Sequence, residues 1–500
     1  MSTTIPSPTN SPPLQKQTTV GNYFVSNYPP FSFWKPEFVP EILAALAQPP
    51  AHNFLSTLNS QPSTPPLGIY LHIPFCRKRC HFCYFKVYTD KDSAAIRGYI
   101  DAALQELAIY ARKPVIGGRA ANFVYFGGGT PSYLSVDQLK HLTDGMKKLI
   151  SWDGVEEVTF ECEPGTLTDH KLKAIREMGV TRLSLGVENF DDHILEINGR
   201  AHRSKEIARA YGYARELGFP QINIDLIAGM VEETEANWRE CVRKTIEMSP
   251  DSVTIYQMEI PYNTTIYQQM KTESKLVAPV ADWETKRAWV KYAFEELEKN
   301  GYAVGSAYTA VKGNEEKMGS AGRWPASSGG SPDDSLHTSK QSVGGPPTGA
   351  RGPRALPTKS KFVYRDKLWA GADLLSLGVA SFGHFSGTHY QNHHDFEHYV
   401  SQINKGELPI YRALTPTDEE KLIREFVLQL KLGHLSCDYF QKKFGVDPRL
   451  RFAAPLQTLS DWGFGKIDGD VVSLNRDGLL QVDRLLHEFF LPQHKNARYA

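Results

Sequence analysis

Three cysteines stand close together as Cys76-x3-Cys80-x2-Cys83, inside the string YLHIPFCRKRCHFCYF. Thiolates are ligands for soft metals, and three on one short loop can reach three corners of a cubane iron–sulfur cluster. A zinc site would want a fourth Cys or His at similar spacing. His81 lies between two of the cysteines and has to face away in a compact cluster loop. Free thiols are the remaining reading. Three protein ligands would leave one iron open to an outside ligand. The other cysteines, Cys162, Cys241 and Cys437, are scattered, and six in 500 residues are too sparse for a disulfide scaffold. Thiolates committed to a metal suit a reducing, cytoplasmic compartment.

A second set of residues could meet a ligand beside that loop. Gly127-Gly128-Gly129-Thr130-Pro131 follows an apolar run. Bare backbone there could donate to a ligand, or simply make a tight turn. It is neither a Walker loop nor a GxGxxG fingerprint. Glu161 ends the run in TFECEPGTL, Glu188 the one in LSLGVENF, and Asp225 sits in INIDLIAGM; Arg200 stands in INGRAH. Singly, each is an ordinary polar residue at a strand end. Together they fall near the C-terminal ends of successive strands, where parallel barrels place their sites. The segment GHFSGTHYQNHHDFEHY carries His384, His389, His393, His394 and His398. It reads first as a polar surface loop, with carboxylate contacts or a second metal or heme site as alternatives.

These residues need elements to hold them. Strand-like runs occur near 67–73, 122–126, 156–161, 181–187, 221–227 and 252–257. Amphipathic helical stretches lie near 93–111, 135–149, 168–178, 203–217, 234–248 and 281–299. Such alternation predicts parallel pairing by right-handed crossovers, as a doubly wound sheet or an incomplete barrel. Residues 373–380 read as one more strand. Residues 1–20, rich in Pro, Ser and Thr, and the Gly/Ser/Pro-dominated insertion 313–357 are expected to be disordered. The domains are then an arm over 21–66, a barrel over 67–414 carrying that insertion, and a C-terminal unit over 415–500. The arm's aromatic string YFVSNYPPFSFW is read as a clasp or a lid. The C-terminal unit shows a capped helix from Thr415, helices near 436–443 and 449–462, a hairpin in GKIDGDVVSLN and a last helix near 477–490. Its pattern is winged-helix-like.

Lys plus Arg number 56, as do Asp plus Glu, so the formal net charge is zero. That balance argues against binding nucleic acid by bulk charge. No apolar run approaches a membrane span, and the N-terminus lacks a secretory pattern.

The cysteine string resembles the radical S-adenosylmethionine (SAM) superfamily, in the family of oxygen-independent coproporphyrinogen III oxidases and their heme-chaperone relatives. The resemblance covers residues 22–312 and 358–500. It implies a partial (β/α)6 TIM-type barrel with a C-terminal helical domain. It implies a [4Fe–4S] cluster on Cys76, Cys80 and Cys83 whose open iron chelates SAM, and a 5′-deoxyadenosyl radical that abstracts hydrogen. Gly128, Gly129, Thr130, Glu161, Glu188, Arg200 and Asp225 match positions that contact SAM. Tyr70 matches a tyrosine beside the sulfonium, Phe82 an adenine contact, and Met258 and Phe382 positions along the adenine and the far rim. Core packing explains those last four equally well.

The implied function is decarboxylation of coproporphyrinogen III in heme biosynthesis, with a flavodoxin or ferredoxin as electron donor. A methyltransferase of the same fold and a heme chaperone are the alternatives. Three departures bear on the choice. Phe85 stands where the oxidases carry a fourth cysteine, and Glu188 where the family has Gln. Residues 364–369, YRDKLW, retain only the tryptophan of the chaperones' HNxxYW element. The upstream arm resembles that of the oxidases.

Overall fold

The structure is a computed structural model, and it describes residues 23–52, 54–55, 63–273, 280–313, 361–495 and 497. The expected disorder of 1–20, and of the insertion beyond Gly313, lies outside the described residues.

Six strands carry the sheet: β1 (Leu67–Ile73), β2 (Phe123–Gly128), β3 (Glu157–Cys162), β4 (Arg182–Glu188), β5 (Gln221–Ala228) and β6 (Ser252–Gln257). They pair parallel in that order. Helices Ser93–Ala111, Val136–Leu149, Asp169–Glu177, Ser204–Glu216, Glu235–Met248 and Trp283–Lys299 return the chain after each strand. Ser135, Thr168, Thr234 and Asp282 cap their helices with side-chain oxygens. Past β6 the sheet is extended antiparallel by β8 (Thr309–Lys312) and β7 (Tyr302–Val304). On the other side β9 (Asp373–Leu377) pairs parallel with β1. Then follow β10 (Phe382–Phe385), β11 (Thr388–Asn392) and β12 (Ile410–Leu414), all antiparallel. The two ends of the sheet do not pair, so the barrel is open.

Parallel strands buried on both faces are usually apolar throughout. Here β3–β6 alternate instead. Val158, Phe160, Leu183, Leu185, Ile222, Ile224, Val253 and Ile255 are buried with the helices in the main core. Glu157, Thr159, Arg182, Ser184, Asn223, Asp225, Ser252 and Thr254 take the other face, and they are tied to one another. Arg182 Nη1 donates to Ser252 Oγ (3.1 Å), which donates to Asn223 Oδ1 (2.7 Å). Ser184 Oγ donates to Asp225 Oδ2 (2.8 Å). At the lower end, Glu157 accepts the backbone N–H groups of Val363 and Tyr364 at 3.0 and 3.1 Å. The helix Val363–Trp369 thereby plugs the floor, with the Tyr364 ring 4.5 Å from that of Tyr125.

The histidine-rich segment is a surface loop only in part: residues 393–395 are a loop with His394 exposed, and His398 is exposed on the following helix, but the first half is not. It forms the β10–β11 hairpin, with Ser386 and Gly387 as a two-residue turn at positive φ, and His384 and His389 are buried. His389 Nδ1 lies 3.0 Å from His384 Nδ1, and its ring stacks on Trp34 of the arm. A two-residue loop with both φ positive suits hairpin twist, and the Ser-Gly pair was the signal for it.

The C-terminal region begins with helix Asp418–Leu430, closed by a Thr417/Glu420 capping box. A small sheet of β13 (His434–Ser436), β14 (Gly465–Asp468) and β15 (Val471–Leu474) forms a wing of three strands rather than a hairpin alone. The helix expected near 449–462 is broken at Phe452, and the one near 477–490 is split into Arg476–Leu479, Val482–Leu486 and a 3-10 turn. Gly478 packs directly on Phe464, and Gln481 departs from helical geometry, so the chain turns there. That turn carries Asp483 inward. Its carboxylate meets Lys431 Nζ at 2.7 Å, both side chains fully buried. Asp483 also accepts from Val25 N (2.9 Å) and Tyr308 OH, while Lys431 donates to Val25 O. One buried pair thus ties arm, barrel and C-terminal region together. Removing one partner of such a pair costs about 3–5 kcal/mol, because the other charge is left buried. Asp483→Leu is therefore expected to lower the denaturation midpoint strongly, and Lys431→Met/Asp483→Leu to recover most of the loss. An additive double variant would disprove the coupling.

Candidate functional site

A cavity of about 400 Å³ opens at the C-terminal ends of the parallel strands. Cys76, Cys80 and Cys83 all line it. Their loop leaves β1 and closes on itself through Cys76 N to Tyr88 O (3.0 Å) and Tyr88 N to Pro74 O (2.7 Å). Two neighbouring turns clamp it. On one side, Gly129 N donates to Ile73 O (2.8 Å) and Thr130 N to Phe75 O (2.9 Å). A Cβ at Gly128 would sit 2.6 Å from the His72 ring, and one at Gly129 would sit 3.0 Å from Cys76 Sγ. These glycines are demanded by the close approach of the loop. Gly128 N, donating to Glu161 Oε2 (3.1 Å), is also used within the chain. The N–H groups of Gly128, Gly129 and Thr130 are thus all engaged within the chain, as the tight-turn reading expects.

The other clamp is the segment around Arg200. His81 N donates to Asn198 O (3.0 Å), and His81 Nδ1 lies 3.0 Å from Ile197 O. The imidazole is thereby turned to the backbone and away from the sulfurs. Arg77 Nη2 donates to Ala201 O (2.8 Å), and Arg200 Nη1 to Cys80 Sγ (3.3 Å). Thr130 Oγ1 donates to Cys76 Sγ (3.3 Å). Burial pushes the Cys76 thiol up to about 11 and that of Cys83 to about 12. A metal binding there has to displace their protons. Among the described residues no three metal-ligating side chains converge on one point, as a single ion requires. Cysteines that each hold a different iron of a cubane need no such convergence. The donor set fits a cluster.

Beyond the sulfurs the cavity is acidic. Burial pushes Glu161 up to about 7, against its bonds from Tyr125 OH (2.6 Å) and Gly128 N. Burial likewise raises Asp225, against its bonds from neutral Ser184 and Asn223 and the charge of Arg182. Glu188 has a left-handed φ of 63° at a register shift in β4, which aims it into the cavity. Burial pushes it up to about 7, although Arg200 Nη2 is 3.6 Å away. Phe82 and Met258 give an apolar wall.

The residues matched to the cluster and to SAM all line this cavity except two. Tyr70 lies below it, its hydroxyl 3.1 Å from His72 Nδ1 and its ring stacked on Tyr125. Three residues short of the strand end, it sits about 10 Å down the lumen. Phe382 belongs to β10, beyond β9, and packs 4.4 Å from Phe31 of the arm. Sequence reasoning also missed residues. Glu163 accepts from Gly165 N and lies 3.4 Å from Arg77 and 3.2 Å from His202. Burial raises its carboxyl, but His202, Arg200 and Arg77 outweigh that and hold it below the ordinary range. Its place in the same ECEP string as Glu161 was the available signal. Phe24, which also lines the cavity, is bonded through its N–H to Glu259 (2.7 Å). It belongs to the aromatic string read as a clasp or a lid, but nothing in that string singled out Phe24.

The Radical SAM superfamily model matches residues 70–245. The oxygen-independent coproporphyrinogen III oxidase of Helicobacter pylori is 26% identical over 85% of this chain and 86% of its own length. The chain thus carries a radical SAM domain and is similar over most of its length to HemN-like radical SAM proteins. The Bacillus subtilis heme chaperone HemW is 25% identical over 84% of this chain and 98% of its own. The Escherichia coli oxidase HemN shares the fold, with a TM-score of 0.72 at 21% identity over 93% of this chain and 96% of that one. Radical SAM proteins use a [4Fe–4S] cluster and SAM. No described helix is long and apolar enough to cross a membrane.

SAM carries a sulfonium and an ammonium, and cations bind ionised carboxylates. With Glu161 and Glu188 held at about 7, charge is lost below neutrality and gained above it. Affinity of the cluster-loaded protein for SAM is therefore expected to fall about tenfold per carboxylate from about pH 8 to about pH 6. Glu188→Gln should flatten the profile. An unchanged slope in calorimetry would show that Glu188's charge is not felt.

Proposed function

We propose that the protein is an oxygen-independent oxidoreductase that decarboxylates coproporphyrinogen III to protoporphyrinogen IX. Each propionate that reacts loses carbon dioxide, a hydrogen atom, which ends in 5′-deoxyadenosine, and one electron, which leaves to an outside acceptor, and becomes a vinyl group. The observation that carries this reading is the arm. Phe24 shares one cavity with the three cysteines, and Val25 is fastened to the buried Lys431–Asp483 pair. An arm closing over the cavity excludes water and confines a reactive species. The near full-length match to coproporphyrinogen III oxidases supports the same reading.

Cys76, Cys80 and Cys83 hold the cluster, which together with SAM supplies hydrogen-atom abstraction. Arg200 steadies Cys80 and carries the charge facing Glu188. Glu161, Glu188 and Asp225 would hold the cationic part of SAM, with Gly128, Gly129 and Thr130 beside them, and Phe82 and Met258 would hold its apolar part. The substrate is a tetrapyrrole, the electron donor is of flavodoxin or ferredoxin type, and the compartment is the cytoplasm.

Relatives named as heme chaperones leave a second reading, transfer of heme. The residues at the position of the chaperones' HNxxYW element speak against it. Tyr364 is held by Glu157 and Tyr125, and Trp369 is buried beside Lys431. That helix is built into the floor of the lumen.

Anaerobic incubation of the reconstituted protein with SAM, reductant and coproporphyrinogen III is expected to release 5′-deoxyadenosine and remove two molecules of carbon dioxide, read by mass spectrometry. Stoichiometric heme binding without turnover would overturn the oxidase reading. Cys80→Ala should lose both cluster absorbance and turnover; a retained full cluster would remove Cys80 as a ligand.

A further inference from the structure

The cavity is also lined by aromatic side chains to which the reading above gives no role. Tyr84, Phe85 and Tyr256 line it and are 40%, 46% and 43% exposed. Large rings left open to water at one spot are unusual on a soluble chain unless a ligand covers them. Tyr84 and Phe85 pack on each other with ring centres 4.6 Å apart. Asn263 fixes their backbone by donating to Tyr84 O (2.8 Å), and Arg79 is anchored on Cys83 O and Asn263 O. Tyr256 stacks on Tyr308, itself bonded to buried Asp483. The rings are thus set by the rigid frame, although their outer faces are bare.

The same rim carries an unused cation. Lys78 is exposed, lines the cavity and has no ion-pair partner among the described residues. Its neighbour Arg77 is engaged by Glu163, and Arg79 by backbone carbonyls. An aromatic platform with one free cation at its edge fits a ligand of flat π-rings bearing carboxylates.

We propose that Tyr84, Phe85 and Tyr256 are the stacking platform, and Lys78 the carboxylate anchor, that select a pyrrole-based polycarboxylate at this mouth. The inference rests on the tetrapyrrole reading above and names the residues that enforce it. Phe85 then has a positive role where the resembling oxidases carry a cysteine: its ring stacks on a pyrrole.

The test is equilibrium binding of coproporphyrin III, the fluorescent oxidised form of the substrate, to the cluster-loaded protein under anaerobic conditions. Phe85→Ser and Tyr256→Ser should each weaken binding by up to about tenfold, and Phe85→Tyr and Tyr256→Phe should retain it. Lys78→Gln should weaken binding of coproporphyrin III but not of its tetramethyl ester. Iron and sulfide content is read on every variant to establish that the loop still assembles. Wild-type binding left unchanged by the Ser variants would overturn the platform while leaving the tetrapyrrole reading standing. Failure of the wild-type protein to bind coproporphyrin III would overturn both. Equal loss of the acid and the ester in Lys78→Gln would overturn the anchor.

Discussion

Everything at the site depends on one departure from ordinary parallel-sheet chemistry: β3–β6 keep polar residues on one face. The outward face, with Phe160, Leu183, Ile224 and Val253, packs under the helices and drives folding. The inward face would be unaffordable if left dry and unpaired. It is made tolerable by bonds across strands, from Arg182 through Ser252 to Asn223 and on to Ser184 and Asp225. The lumen that results is rigid and hydrogen-bonded below, and open above.

That frame positions the cysteine loop. The loop is clamped by the glycine turn after β2 and by the segment of Asn198 to Arg200, both mounted on strand ends. Small residues matter where backbones nearly touch. Gly199 leaves room for the His81 ring, and Gly186 for the Glu188–Arg200 pair. Above the sulfurs, the carboxylates of Glu161, Glu188 and Asp225 gather in one cavity, which suits it electrostatically to a cation.

The edges of the open sheet create a second requirement. An unclosed barrel exposes its interior, and here the C-terminal region and the arm cover it. The Lys431–Asp483 pair sits at that junction and holds Val25, so Phe24 is placed in the cavity by residues more than 400 positions away. The aromatic mouth sits at that same boundary.

The periodicities of strands and helices were legible because they report local burial, and the six strand–helix units stand within a residue or two of where the alternation put them. The cysteine spacing, the glycine turn and the acids at strand ends were legible for the same reason: each sits at a fixed offset from a strand. The His384–His389 hairpin was not read, because its polar residues are buried only once Trp34 of the arm stacks on them. That Tyr70 and Phe382 do not line the cavity was not legible, because sequence order does not say how deep in the lumen a residue lies, or on which side of β1 a late strand is added. Glu163, Phe24 and the Lys431–Asp483 pair work through contacts between distant segments. The sequence by itself therefore determined the parallel sheet, the three sulfurs and the acids around them. Only the tertiary structure decided which rings and charges surround the cavity mouth, because those depend on docking free energies between segments that no local pattern encodes.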